Sequence, residues 1–193
     1  MTVVIIGRGS FGFNIITECQ NRRIHIAQVI TSREEKEIIA YCGLSSIPVS
    51  FTGESVVSPA FDLGITVNSF AKVSSEMLDQ ARIGWIGYHP SLLPRHRGRA
   101  AIQWALKEKD VITGGTVYWL SNQMDQGDIA YQDWIFLDHS LTAREVWDKE
   151  LEPIGMRLFR KALKHVKKGK IVRRPQQRLE QFATVAPRLN KVF

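Results

Sequence analysis

The tightest constraint on the fold is the way the chain opens: Val3-Val4-Ile5-Ile6 runs straight into Gly7-Arg8-Gly9-Ser10-Phe11-Gly12. Consecutive apolar, β-branched residues read as a buried strand. The glycines after it permit a tight turn into a helix, and helical spacing follows over 13–22. Residues 24–30 alternate like a second strand, so the opening makes a βαβ unit with a parallel pair. The pattern continues. Residues 34–41 read as a short helix, 47–58 as a loop or short strand, and 62–67 as a third strand. Residues 74–81 read as a helix opened by a serine cap, 84–88 as a fourth strand and 100–107 as a helix. Strands over 115–120 and 129–137 are close enough to be antiparallel, and 142–166 is one long amphipathic helix. The tail beyond Gly169 reads as irregular. Strand–helix alternation predicts an α/β fold with a mostly parallel sheet. Ligands bind such sheets at the carboxyl ends of the strands.

The chain is 44% hydrophobic and 23% charged, as ordinary soluble globular proteins are. No run approaches the ~18 apolar residues a membrane span needs. The first residues carry no basic leader. The expected location is the cytoplasm, with no membrane partner. Cys19 and Cys42 imply neither a disulfide framework nor a metal cluster, so no metal is expected. The net charge is +7, and residues 157–178 are strongly basic with no acid among them. That run reads as a solvated helix face and tail, or as attraction for an anionic substrate. Nucleic acid comes third, because the aromatics beside it are too few for a stacking platform. The tryptophans sit mostly at apolar periodic positions and read as core or interface.

Glycine at 7, 9 and 12 between a strand and a helix fits a dinucleotide site. Such a site also needs an acid about 20 residues on, at the end of the second strand. Here that place reads Thr31-Ser32-Arg33. An arginine there suits NADP, which keeps an NADP-binding oxidoreductase as an alternative. The other readings are a plain tight turn and an anion site at a helix N-terminus.

The most informative stretch is Tyr88-His89-Pro90-Ser91-Leu92-Leu93-Pro94-Arg95-His96-Arg97-Gly98. Prolines fix the backbone of a segment at a strand end and present His89 rigidly. Asp125 follows in a turn between two strands, in Met124-Asp125-Gln126-Gly127-Asp128. A carboxylate there can hydrogen-bond the imidazole, set its tautomer and stabilise the imidazolium formed during proton transfer. Most lone histidines are structural, and spacing alone names no substrate.

The run HPSLLPRHRG, then Gly114-Gly115-Thr116-Val117 and MDQGDI, resembles the formyltransferase family that uses 10-formyltetrahydrofolate. The likeness is strongest to the hydrolase domain of 10-formyltetrahydrofolate dehydrogenase, where the strand entry also reads tyrosine-histidine-proline. The start VVIIGRGSFGFNI is similar to that domain, and QQRLEQFATVAP to the end of methionyl-tRNA and sugar formyltransferase catalytic domains. The resemblance covers nearly the whole chain. It implies a three-layer Rossmann-like formyltransferase fold whose mostly parallel sheet has an antiparallel part. Residues 1–170 would form the catalytic domain and 171–193 a C-terminal extension packing on or trailing from it. The implied activity is formyl transfer from 10-formyltetrahydrofolate, the co-substrate, to an amine of a small, anionic acceptor.

The resemblance assigns the catalytic roles to His89 and Asp125. It assigns the folate loops to Ala71, Lys72 and Val73 and to Ser121, Asn122, Gln123 and Met124. Leu92, Leu93 and Met124 are candidates for an apolar wall. Gly9, Ser10 and Arg95 are candidates for the acceptor's anionic part. The family's asparagine two places before the histidine is Gly87 here, which allows a slow enzyme. It also keeps hydrolysis to tetrahydrofolate and formate as an alternative, with water as the acceptor. Methionyl-tRNA formyltransferases carry an added tRNA-binding domain and the sequence stops at Phe193, so tRNA is disfavoured; a homodimer is admissible.

Overall fold

Val3, Val4 and Ile5 of strand β1 (Thr2–Gly7) have no solvent exposure at all. A strand apolar on both faces belongs in the middle of a parallel sheet. β1 pairs on one side with β2 (His25–Thr31) and on the other with β4 (Phe61–Val67). β2 pairs outward with the short β3 (Val49–Phe51), and β4 with β5 (Ala81–His89). All these pairings are parallel. The computed structural model describes residues 1–54, 60–69 and 73–189. The chain divides into two compact units, Met1–Gly87 and Tyr88–Phe193.

In the first unit, helix α1 (Gly9–Asn21) starts one residue past β1, with Gly9 in the left-handed region at φ +65°. α2 (Lys36–Leu44) and α3 (Ser75–Gln80) follow. Ser74 caps α3 as expected, its hydroxyl accepting from the Met77 N–H at 3.3 Å. Gly64 lies opposite Trp85 in the β4–β5 register, and a Cβ on it would fall 1.9 Å from the indole. The absent side chain is what lets Trp85 lie flat on the sheet. There the ring packs edge-on to Phe61 and donates from Nε1 to the Met77 carbonyl at 2.8 Å.

In the second unit, α4 (Ala101–Lys107) is followed by the antiparallel pair β6 (Ile112–Trp119) and β7 (Ile129–Phe136). A parallel sheet in one unit and an antiparallel pair in the other match the expected mixture. Trp85 and Trp119 are core residues as expected, whereas Trp134 on β7 is 54% exposed and stacks edge-on with the exposed Phe136. The expected single helix over 142–166 is helical throughout but not uniform. α5 (Ala143–Val146) passes through a π turn (Trp147–Leu151) into α6 (Glu152–Lys167). Pro153 has no N–H to return to the carbonyl four residues earlier, and the helix widens by one turn just before it. α6 packs on β6 and β7 through Leu158, Phe159, Ala162, Leu163 and Val166, leaving Arg160, Lys164 and Lys167 exposed.

The tail is more ordered than its sequence suggests. Ile129 and Arg174 exchange backbone hydrogen bonds at 2.9 and 3.0 Å, a 3₁₀ helix spans Gln176–Phe182, and Val185 bridges to Arg97. Among the described residues no helix is long and apolar enough to cross a membrane.

Two outcomes follow from this packing. Gly64→Ala forces the indole of Trp85 off the sheet, an overpacking cost on the order of 1–3 kcal/mol. Urea unfolding followed by tryptophan fluorescence will show the lowered midpoint. At α5, Thr142 and Glu145 form a reciprocal capping box. Hydrogen bonds from the Thr142 backbone, then its hydroxyl, then Lys149 hold the Glu145 carboxyl down at about 2, below its usual 4.5. A depressed carboxyl stabilises the fold above its unfolded value and loses that contribution as pH falls through the folded one. Glu145→Gln therefore lowers the thermal midpoint at neutral pH, and the gap to wild type narrows from pH 4.5 toward 2.

Candidate active site

Strand β5 delivers His89 as its last residue. Just before it, the Tyr88 hydroxyl donates to the Leu151 carbonyl of the π turn at 2.6 Å, anchoring the strand end. The loop after His89 is held from several sides. Thr116 on β6 donates to the Ser91 carbonyl at 2.6 Å and accepts from the Leu93 N–H at 3.2 Å. Gln132 on β7 donates to the Leu93 carbonyl at 2.8 Å. Ser91 donates to the Arg95 carbonyl at 2.6 Å, closing the loop on itself. His96 then sits at φ +57°, and its N–H donates to the Thr184 hydroxyl at 2.8 Å. That turn swings the His96 carbonyl back to His89.

The His89 imidazole is 5% exposed and its Nε2 lies 2.7 Å from the His96 carbonyl oxygen. A carbonyl only accepts, so Nε2 carries the hydrogen and a neutral ring keeps its lone pair on Nδ1. Nδ1 lies 3.6 Å from Asp125 Oδ2. The Asp125 carboxylate is itself buried and oriented. Its Oδ1 accepts from the Tyr118 hydroxyl at 2.7 Å and its Oδ2 from the Gly98 N–H at 2.8 Å. Burial and then the Asp125 charge push the Tyr118 phenol well above its usual range, so it remains a donor. The structure thus brings the His89 Nδ1 and Asp125 Oδ2 atoms to 3.6 Å, an ion-pair distance longer than a hydrogen bond. Nδ1 is the ring nitrogen that faces the Asp125 carboxylate.

The other candidate positions fare differently. Ser121, Asn122, Gln123 and Met124 form the exposed turn before Asp125, folded by a Ser121 hydroxyl that donates to the Gln123 carbonyl at 3.0 Å. Met124 is 62% exposed, and Leu93 is buried in a cluster with Tyr118 and Ile129, so Leu93 is core rather than wall. Val73 is buried; Ala71 and Lys72 lie outside the described residues.

Of the residues expected to meet an acceptor's anion, Arg95 and Gly9 have internal partners. Arg95 binds Asp110 through Nε at 2.9 Å and through Nη2, which also reaches Glu108 at 3.0 Å. In the glycine loop, the Gly9 N–H donates to Glu35 Oε2 at 2.8 Å. A side-chain carboxylate already occupies the donor that a phosphate of a dinucleotide or an anionic acceptor would use. Ser10 is exposed beside it. Glu35 lies outside the place where a dinucleotide site keeps its acid, so the sequence pattern gave no sign of this contact.

His96, Glu108 and Asp110 converge closely enough to suggest a cation site. That group already holds the guanidinium of Arg95, and His96 Nε2 lies 2.6 Å from Asp110. Burial raises the Asp110 carboxyl, but its bonds to Arg95 and His96 outweigh this and leave it below the usual range. Burial pushes the Cys19 and Cys42 thiols up to about 12 and about 11, so neither supplies a thiolate near neutral pH.

Residues 54–160, more than half of the chain, match the formyl transferase family. A methionyl-tRNA formyltransferase of Lactobacillus delbrueckii subsp. bulgaricus is 27% identical over 91% of this chain and 61% of its own length. The cytosolic 10-formyltetrahydrofolate dehydrogenase of Mus musculus is 28% identical over 91% of this chain. The chain spans only 21% of that protein. Among solved structures, glycinamide ribonucleotide transformylase 1 from Symbiobacterium toebii superposes with a TM-score of 0.77 at 20% identity. That likeness covers 91% of this chain and 93% of the other, and it establishes the fold. With the family match over the stretch that carries both His89 and Asp125, the chain belongs to the formyl transferase family.

Proposed function

We propose that this chain transfers the formyl group of 10-formyltetrahydrofolate to an amine of a small acceptor, with His89 and Asp125 moving the protons. One observation carries the reading. A buried imidazole is fixed through Nε2 and turns Nδ1 toward a buried carboxylate 3.6 Å away. In this reading the amine attacks the formyl carbon and the carbonyl electron pair moves onto oxygen. The proton lost by the attacking nitrogen passes to His89 Nδ1, where Asp125 stabilises the imidazolium. The bond from the formyl carbon to the folate nitrogen then breaks. The returning proton goes to that nitrogen, leaving an N-formyl product and tetrahydrofolate. The catalytic domain is residues 1–170, and the folate is assigned to Ala71, Lys72, Val73 and the turn formed by Ser121, Asn122, Gln123 and Met124. The names of the relatives support folate as the formyl carrier. Arg95 and the Gly9 N–H already have internal partners, so the case for an anionic acceptor rests on Ser10 and the basic run over 157–178.

Hydrolysis, with water as the attacking group, is a second reading, and Gly87 favours it. This position holds no side-chain donor for the oxyanion, and loss of one such donor costs on the order of 10²–10³ in rate.

The test is tetrahydrofolate release from 10-formyltetrahydrofolate, measured with a panel of amines and without them. Amine-dependent release supports transfer, and equal release without amine selects hydrolysis. His89→Ala and Asp125→Asn each lower the rate on the order of 10²–10⁴-fold. Gly87→Asn raises it, by up to about 10²-fold where the missing donor limits the reaction. No release under any condition overturns both readings.

A further inference from the structure

We propose that Gln176 is a positioning residue for the His89–Asp125 pair: its buried amide ties together the two loops that carry the imidazole and the carboxylate. The inference rests on the proposed function, which makes that pair catalytic. Gln176 opens the 3₁₀ helix of the tail, far along the chain from either loop, and is 2% exposed. Its Nε2 donates to the Asp125 carbonyl at 2.9 Å and to the Gly127 carbonyl at 2.7 Å. Its Oε1 accepts from Arg97 Nε at 3.2 Å and Nη2 at 2.9 Å. A primary amide has two N–H donors and one oxygen with two lone pairs, so every bonding position is filled. The orientation is unambiguous, because carbonyls only accept and a guanidinium only donates.

Each contact bears on the pair. Asp125 holds φ +55°, a conformation uncommon for residues other than glycine. The bond to its carbonyl keeps that peptide from rotating and so keeps the carboxylate aimed at His89. Arg97 stands between the two residues that contact the pair through their backbone. The His96 carbonyl receives the His89 ring, and the Gly98 N–H supports Asp125. Glu180 receives the other face of the guanidinium, from Nη1 and Nη2 at 2.9 Å each, and balances its charge. Gln176 thereby sets the distance between the imidazole and the carboxylate without touching either side chain.

The experiment compares Gln176→Ala, Gln176→Glu and Glu180→Gln in the full chain. Two readouts are followed: tetrahydrofolate release, and ¹⁵N NMR of the His89 ring. Gln176→Ala is expected to lower kcat on the order of 10²-fold, the scale of an ångström's misplacement, with KM for 10-formyltetrahydrofolate little changed. Its His89 spectrum should change from the Nε2–H tautomer to a mixture. Gln176→Glu keeps the shape. Its ionised carboxylate opposes two carbonyls, whereas its protonated form donates to one, so its kcat relative to wild type rises as pH falls. Glu180→Gln leaves the tautomer unchanged. Wild-type kcat together with an unaltered His89 tautomer in both Gln176 variants overturns the proposal. If wild type itself releases no tetrahydrofolate, the proposed reaction fails, and the ring spectra alone decide whether Gln176 positions His89.

Discussion

The hydrogen bond between His89 Nε2 and the His96 carbonyl governs the rest of the site. It joins the two ends of one short loop, so the loop must curl back on itself. That requirement explains the left-handed His96, the Ser91–Arg95 closure and the support from Thr116, Gln132 and Thr184. It also decides the tautomer. A ring tied down at one nitrogen offers its other nitrogen, and Asp125 is the group it meets. Tyr118 and the Gly98 N–H then hold the carboxylate from the far side, so neither partner is left to solvent.

The protein is basic overall, yet the cations beside the pair are matched locally. Arg95 is matched by Asp110 and Glu108, and Arg97 by Glu180. At the glycine loop the pattern inverts: a carboxylate, Glu35, fills a position whose chemistry invites an anion. The excess positive charge lies instead on the exposed side of α6, at residues such as Arg160, Lys164 and Lys167. A long-range field can steer an anionic molecule without binding it. Net charge is therefore a poor guide to the charge beside the His89–Asp125 pair, and the pairing of individual groups is the better one.

Much of the fold was legible from local pattern. β1, β4 and β5 are short apolar runs, and their existence and order followed from that. Boundaries moved by a few residues, as at β5, which begins at Ala81 and takes in His89. The π turn was not legible, although Pro153, its cause, was in plain view, because helical periodicity tolerates one widened turn. Trp134 sits at a periodic apolar position and is exposed, because periodicity marks a face without saying what covers it. The order of the tail was missed for another reason. Ile129–Arg174 and Arg97–Val185 pair residues distant in sequence, which leaves no local signature.

The sequence by itself determined the α/β class, the glycine turn, and the pairing of His89 with Asp125 as the residues to watch. The first two rest on short-range rules, side-chain branching and the geometry of proline and glycine, whereas the pair rests on the family resemblance, since His89 and Asp125 lie in separate loops. Only the tertiary structure decided which imidazole nitrogen faces the Asp125 carboxylate, that Tyr118 and Gln176 brace Asp125, and that Glu35 and Asp110 take up the nearby donors and cations. Hydrogen bonds of this kind depend on distances of a few tenths of an ångström between segments far apart in the chain. Such distances are set by the packing of the whole fold, and no stretch of sequence specifies them alone.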